Sequence, residues 1–365
     1  MNVQGEDEPV PVAARALAEF VARLFVAAGV PETVAATVAD GLVEADLEGL
    51  SSHGVMLTDM YIERLRKGSV SRATSAAVVS ERQGAIVLDA GHALGQSTGR
   101  QAMSLAIDKA RQFAAGIVSV RHGFHFGAAG RYALQAAQAG CVGVAMCNTR
   151  PLMPAPGGAE RAVGNNPIAI ALPTGGEIPI VLDMATSEAA MGKIRMAEKA
   201  REAIPPTWAV TAQGLPTTNP SEAIAGMLLP SGGPKGFGLS FLIDLLCGLP
   251  SQGATGAQVR PLYGDFSVPY DCSHLFIAID VAHFCDLDWF RRQAAAAAEH
   301  IRGGQRAPGV ARLFTPGEPE WRQRERSGGR VLIESSVVAM LTRYADELGV
   351  TSTPFQNRVQ EKHHA

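Results

Sequence analysis

Apolar residues recur at helical spacing from Val12 to Leu50, with breaks at Gly29 and Pro31, which predicts two packed helices followed by a turn. Helical character continues from Gly54 to Lys67 and stops at Gly68. Thereafter the period shortens. Ala85 to Asp89 reads as a strand, Gln96 to Ala115 as a helix and Gly116 to Val120 as a second strand, a βαβ-like alternation. Ala128 to Ala139 then reads as a helix, Val142 to Cys147, Ile168 to Leu172 and Ile178 to Leu182 as strands, and Ser187 to Arg201 as a helix. The stretch from Ile204 to Pro220 carries Pro205, Pro206, Gly214, Pro216 and Pro220, so a long surface loop is expected there. Helix resumes after Pro234, a strand falls on Leu275 to Asp280, and Asp286 to Arg302 is an alanine-rich surface helix. The polar residues Gln356 to Ala365 read as a frayed tail. The fold class is α/β.

Composition narrows this picture. The 365 residues suit one large or two ordinary domains, and 47% hydrophobic against 18% charged residues describes a well-buried globular chain. No apolar run reaches the ~18 residues a membrane span needs. Net charge is −3, with 32 basic and 35 acidic residues interspersed, so no polybasic stripe offers itself to nucleic acid. The five cysteines are odd in number and lack CxxC spacing, which argues against a disulfide scaffold and against a cysteine-ligated zinc site. With an acidic N-terminus that has no apolar core segment, the expectation is a cytoplasmic protein.

Neither GxGxxG after a strand nor GxxxxGK[ST] is present, so a standard Rossmann or P-loop site is not supported. Glycine-flanked polar clusters stand out instead. In Ser51-Ser52-His53-Gly54 an imidazole that titrates near neutrality has hydroxyl neighbours, which suits proton exchange with a substrate oxygen; a helix cap with a surface histidine uses the same residues. Arg121 to Gly130 (RHGFHFGAAG) joins a strand to a helix whose first amides favour an anion. His122 and His125 supply only two metal ligands, and no metal is expected. Asn148-Thr149-Arg150-Pro151 and Gly164-Asn165-Asn166-Pro167 bring amides and hydroxyls suited to a polar small molecule, or to local turns. Asp183 ends a strand where an acid meets ribose hydroxyls or caps the next helix. Lys235 sits in a glycine-rich loop at a helix start, placed to meet phosphate.

In their order along the chain, the segments SSHGV, HFGAAGRY, NTRPLMPAPGGAERAVGNNPIAIALPT, LDMATS, GKI, GLPTT, GGPKGFGLSFLIDLLCG, PLYGDF and TPGEPEW resemble the malate/L-lactate dehydrogenase type 2 family. The resemblance runs from about residue 12 to residue 350. It implies a non-Rossmann, mixed-sheet dinucleotide-binding fold with an N- and C-terminal helical subdomain. The implied division is 1–75, helical and carrying the Ser-His motif, 76–300, α/β and cofactor-binding, and 301–365, packing on the helical part. It further implies an NAD- or NADP-dependent oxidoreductase, homodimeric, moving a hydride to or from C2 of a small 2-hydroxy or 2-oxo acid. A cyclic 2-imino acid reductase and a non-catalytic ligand-binding homologue are the alternatives.

Carried over by position, His53 with Ser52 matches the proton-transfer pair, His125 a proton acceptor, and Lys193 a group that polarises the substrate oxygen. His125, Phe126, Gly127, Ala128, Ala129, Thr149, Asp183, Met184, Ala185, Lys235, Gly317 and Glu318 match cofactor-binding positions, and Arg150, Asn165 and Tyr61 are assigned to the substrate. Many relatives carry an arginine four residues after the motif histidine to grip a carboxylate, but here that position is Leu57. Arg150 is the expected replacement, because a guanidinium pairs bidentately with a carboxylate. Arg195, Lys199 and Arg201 only hint at a phosphate partner, so the choice between NAD and NADP stays open.

Overall fold

The computed structural model describes residues 8–351 and 353–355. Strand β1 (Val10–Ala13) leads into helices α1 (Ala14–Ala27) and α2 (Glu32–Leu47), split where glycine and proline predict. The stripe Leu17, Phe20, Val21, Leu24, Phe25 turns α1 into the core. Helix does not resume at Gly54. Two 3₁₀ turns, Ser51–His53 and Val55–Leu57, precede α3 (Thr58–Lys67), because Gly49 takes φ 79° and Gly54 is extended. At Gly68, φ 80°, α3 ends in the left-handed turn that glycine permits.

The chain continues through β2 (Ala77–Arg82), β3 (Ala85–Asp89), α4 (Gly95–Phe113), β4 (Ala115–Gly123), α5 (Gly130–Gln138) and β5 (Cys141–Cys147). Short strands β6 (Met153–Pro154) and β7 (Arg161–Val163) lead to β8 (Ile168–Leu172), β9 (Ile180–Met184) and α6 (Met191–Ala200). Then come β10 (Ala209–Val210), α7 (Pro220–Ala225), β11 (Met227–Leu228), α8 (Pro234–Gly248) and β12 (Cys272–Asp280). The last elements are α9 (Leu287–Arg302), α10 (Glu318–Arg326), β13 (Arg330–Ile333) and α11 (Ser335–Leu348).

Seven strands form one mixed sheet in the order β2-β3-β4-β12-β5-β8-β9. Only β3 and β4, joined through α4, run parallel; β12 lies in the middle, antiparallel to both β4 and β5. Helices α4 and α5 cover one face and α8 the other, which is why β12 reads as a nearly continuous buried run. The helices ride close to the sheet: a Cβ at Gly116 or Gly143 would overlap the Ala106 or Ala133 carbonyl. The α/β, mixed-sheet expectation therefore holds.

The termini meet in a ladder that periodicity did not predict, β1 against β13, and α11 packs beside α1. The proline-rich stretch also departs from expectation. Ile204 and Ala209 are buried in a second apolar cluster with Met153, Val163, Ile194, Ala223 and Leu228, so this segment builds a lobe beside the sheet. The helix expected from Ser187 starts only at Met191. The tail from Gln356 to Ala365 lies outside the described residues.

Candidate active site

The segment just past the end of β4 meets the turn that carries His53, with His125 stacked on His53. Two backbone devices hold this turn. The Asp46 carboxylate, projecting from α2, accepts the Val55 N–H at 2.8 Å. It also fills the space a Cβ at Gly54 would need. Burial raises the Asp46 carboxyl to about 7, and the Val55 amide only partly offsets that. Asp46→Asn, which keeps an acceptor for Val55, is expected to retain activity, whereas Asp46→Ala lowers kcat by loosening the turn. A circular dichroism melt beside steady-state kinetics separates loss of fold from loss of placement.

Ser52 Oγ lies 3.0 Å from His53 Nδ1. The His53 and His125 rings stack with centroids 5.6 Å apart and planes at 24°. Behind His125, Tyr61 is fully buried, its Oη 2.7 Å from His125 Nδ1 and accepting the Gln96 Nε2–H at 2.9 Å. With Gln96 donating, the phenol proton is free for His125 Nδ1, and the neutral imidazole then carries its proton on Nε2. Burial lowers the pKa of both histidines, and the neighbouring His53 and His274 help hold His125 at about 3. Both rings are therefore neutral at physiological pH. Tyr61, assigned to the substrate from sequence, is buried behind His125, with its hydroxyl between His125 and Gln96.

The HFGAA segment is divided by burial. Phe126 and Ala129 are buried, while His125, Gly127 (φ 79°) and Ala128 remain accessible. The start of α5 does not stand open to an anion as expected, because Asp183 Oδ2 accepts the Gly130 N–H at 2.6 Å. Thr149 and Asn165 are latched together, through Thr149 Oγ1 to Asn165 Oδ1 at 3.0 Å and Asn165 N to Thr149 Oγ1 at 3.1 Å. Asn166 Oδ1 takes the Thr149 N–H at 2.7 Å. Glu318 is fully buried and both its oxygens are committed, to Arg302 and Arg322, each at 2.7 Å. This carboxylate thereby ties α9 to α10, and Gly317 beside it packs on Val181 of β9.

Arg150 is half-buried and has neither a hydrogen bond nor an ion pair among the described residues. Burial and the nearby Arg161 and Arg195 lower its pKa, and Tyr270 is its compensating neighbour. Tyr270 packs on Phe124, and Phe124 on Tyr61, which ties Arg150 to the histidine pair through one aromatic layer. Leu57, by contrast, is in the apolar core. Lys193 and Lys235 are exposed and unpaired among the described residues, and Met184 and Ala185 are partly accessible beside Asp183. Sequence reasoning missed Asp46, Gln96 and Tyr270. Gln96 lies in the glycine-flanked run Gly95-Gln96-Ser97-Thr98-Gly99 and Asp46 and Tyr270 in none, and only the folded chain shows what each touches.

The mixed sheet carries no glycine-rich phosphate turn, and His125, just past the end of β4, stacks on His53 of the 3₁₀ turn Ser51–His53. The same architecture occurs in the solved sulfolactate dehydrogenase from Methanocaldococcus jannaschii, with TM-score 0.89, 34% identity, and coverage of 94% of this chain and 98% of that chain. A malate dehydrogenase from Pyrococcus abyssi is 38% identical over 310 residues, covering 83% of this chain and 84% of that protein. The NAD(+)-dependent ureidoglycolate dehydrogenase of Escherichia coli K12 is 36% identical over 293 residues, covering 80% and 83%. The malate/L-lactate dehydrogenase family model matches residues 12–342, and the chain belongs to that family.

Proposed function

We propose that the protein catalyses reversible hydride transfer between NAD or NADP and C2 of a small 2-hydroxy or 2-oxo acid. The observation that carries this reading is the stacked, neutral His53–His125 pair, with the His125 tautomer set by Tyr61. The residues present fit a dinucleotide: Gly127 keeps the HFGAA backbone open, and Lys235 stands unpaired and exposed at the start of α8, after Gly232 and Gly233 with φ 62° and 63°. The nicotinamide, when bound, supplies the hydride acceptor or donor.

In oxidation the C2–H bond breaks with its electron pair, and the hydroxyl proton passes to His53 Nε2. With Ser52 Oγ accepting from Nδ1–H, Nε2 is the free base. His125 Nε2–H steadies the same oxygen, Lys193 adds positive charge, and Arg150 holds the carboxylate. Reduction reverses each step. Oxidation of NADH and NADPH measured over 2-oxo acids and cyclic imino acids tests the reading; turnover confined to the imines overturns it.

Arg150→Ala is expected to raise KM for acid substrates by about 10- to 100-fold, the effect of losing one charge-assisted hydrogen bond, with cofactor affinity unchanged. Steady-state kinetics beside calorimetric cofactor titration checks this, and an unchanged KM removes the clamp role.

The working form is a homodimer built on α8. One side of this helix packs on the sheet through Ile243 and Cys247, while Leu239, Phe241, Leu242, Leu246 and Leu249 are exposed on the other. A second copy of the same face is its occupant. Leu242→Asp is expected to shift sedimentation from dimer to monomer. The five free thiols suit a reducing cytoplasm.

A further inference from the structure

Three donor side chains outside the proposed catalytic groups meet beneath the active-site segment. Cys147 ends β5, and the antiparallel register sets it opposite His274 of β12, two residues after Cys272. The two Sγ atoms and a ring nitrogen of His274 all lie within 4.8 Å of one another, with Cys272 Sγ 3.2 Å from His274 Nε2. All three side chains are buried, at 4%, 0% and 0% exposure.

The cluster is built rigidly. The His274 ring stacks on Phe126 at 4.6 Å and 12°, and its Nδ1 has no partner, so the polar edge in use is the one facing the thiols. The backbone beside both cysteines is pinned. Asn148 N donates to Ser273 O at 3.1 Å and Ser273 N to Asn148 Oδ1 at 2.7 Å, while Asn148 Nδ2 donates to Asp244 Oδ1 and Ala254 O.

We propose that Cys147, Cys272 and His274 form a structural site for one thiophilic divalent cation of the zinc type. A cation about 2.3 Å from sulfur and about 2.0 Å from imidazole nitrogen spans sulfur–nitrogen separations of roughly 3.5 Å, so small side-chain shifts suffice. Two thiolates cancel the charge of a divalent ion, which leaves a neutral site in a low-dielectric interior. Binding is balanced: two thiols each release a proton and two metal–sulfur bonds form, while His274 donates its Nε2 lone pair. The Asn148 carbonyl, 3.0 Å from Cys147 Sγ, supplies the nearest oxygen for a fourth position. Such an ion ties β5 to β12 directly under Phe126, and takes no part in hydride transfer.

The full-length protein is produced in medium supplemented with Zn²⁺ alone or Cd²⁺ alone, purified without chelator, and analysed by mass spectrometry for metal and by X-ray absorption. One ion per chain is expected, with two sulfurs and one nitrogen in its shell, a thiolate-to-cadmium absorption band, and a raised melting temperature. Cys147→Ala is expected to lose the ion, and Cys285→Ser, at a partly exposed thiol elsewhere, to keep it. Wild-type protein without metal, a shell of oxygens, or full retention in Cys147→Ala overturns the site. Should Cys147→Ala fail to fold, the wild-type absorption shell decides alone.

Discussion

Replacing His53 by alanine is expected to lower kcat by about 10²- to 10⁴-fold, the usual worth of general acid–base catalysis, with cofactor affinity unchanged. The ring stands at the accessible side of the stacked pair and is held from behind by Ser52 alone, so its loss removes a proton acceptor without disturbing the sheet. His125 cannot take over. Burial and two neighbouring imidazoles hold it at about 3, and Tyr61 occupies its second nitrogen, so it donates a hydrogen bond far better than it accepts a proton. His125→Gln, which retains an N–H donor, is accordingly expected to be milder than His53→Ala. Single-turnover hydride transfer with each variant checks the order. An undiminished rate in His53→Ala moves the proton to His125 or to solvent.

Glu318→Ala is expected to cost about 1.5–3 kcal/mol, the usual worth of hydrogen bonds to a charged group, seen as a lower urea midpoint with an unchanged slope. The carboxylate is fully buried, bridges Arg302 and Arg322, and also accepts from Thr315. Its removal leaves Arg322 without an anion and Arg302 with only the exposed Glu299, and loosens the Thr315–Gly317 loop beside edge strand β9, where Pro316 O accepts the Val181 N–H. These hydrogen bonds hold the Glu318 carboxyl at about 2, below its usual 4.5. The native state therefore binds fewer protons than the unfolded chain between those values, and this share of stability is complete above pH 4.5 and lost as pH falls through about 2. His125 acts in the same direction over about 6.5 to 3, since the unfolded imidazole binds a proton the folded one refuses. Asp46 opposes them, because its raised carboxyl favours the folded state below about 7. Acid unfolding of Glu318→Ala should thus begin from a lower baseline and be shallower below pH 4.5 than in the parent protein.

Strong local periodicity was legible: β3 and β8 fall on the residues their patterns predict, and α4 within two residues at each end. β1 and β13 escaped because each is four residues long and finds its partner at the other end of the chain. β2 is almost wholly exposed, so it carries no apolar alternation to read. In the site, the histidines could be singled out by their glycine-flanked settings, but their stacking depends on where the fold sets the Ser51–His53 turn against the segment after β4. Tyr61 looked like a substrate residue because nothing local reveals the Gln96 and His125 that enclose it. The cysteines, judged by sequence spacing alone, gave no sign of a ligand set. Only the β5–β12 register sets Cys147 opposite His274.

The position of β12 also governs the order in which the molecule can be made. Until residues 272–280 leave the ribosome, β2-β3-β4 and β5-β8-β9 exist as two half-sheets, each with its future inner edge unpaired. Open strand edges recruit one another and foreign chains. The nascent protein therefore carries two sticky margins from the completion of β5 until β12 is made, and that one late strand closes both at once. A premature stop shortly before that strand yields a polypeptide with most of the sequence, no continuous sheet, and a strong tendency to be captured by chaperones or to aggregate.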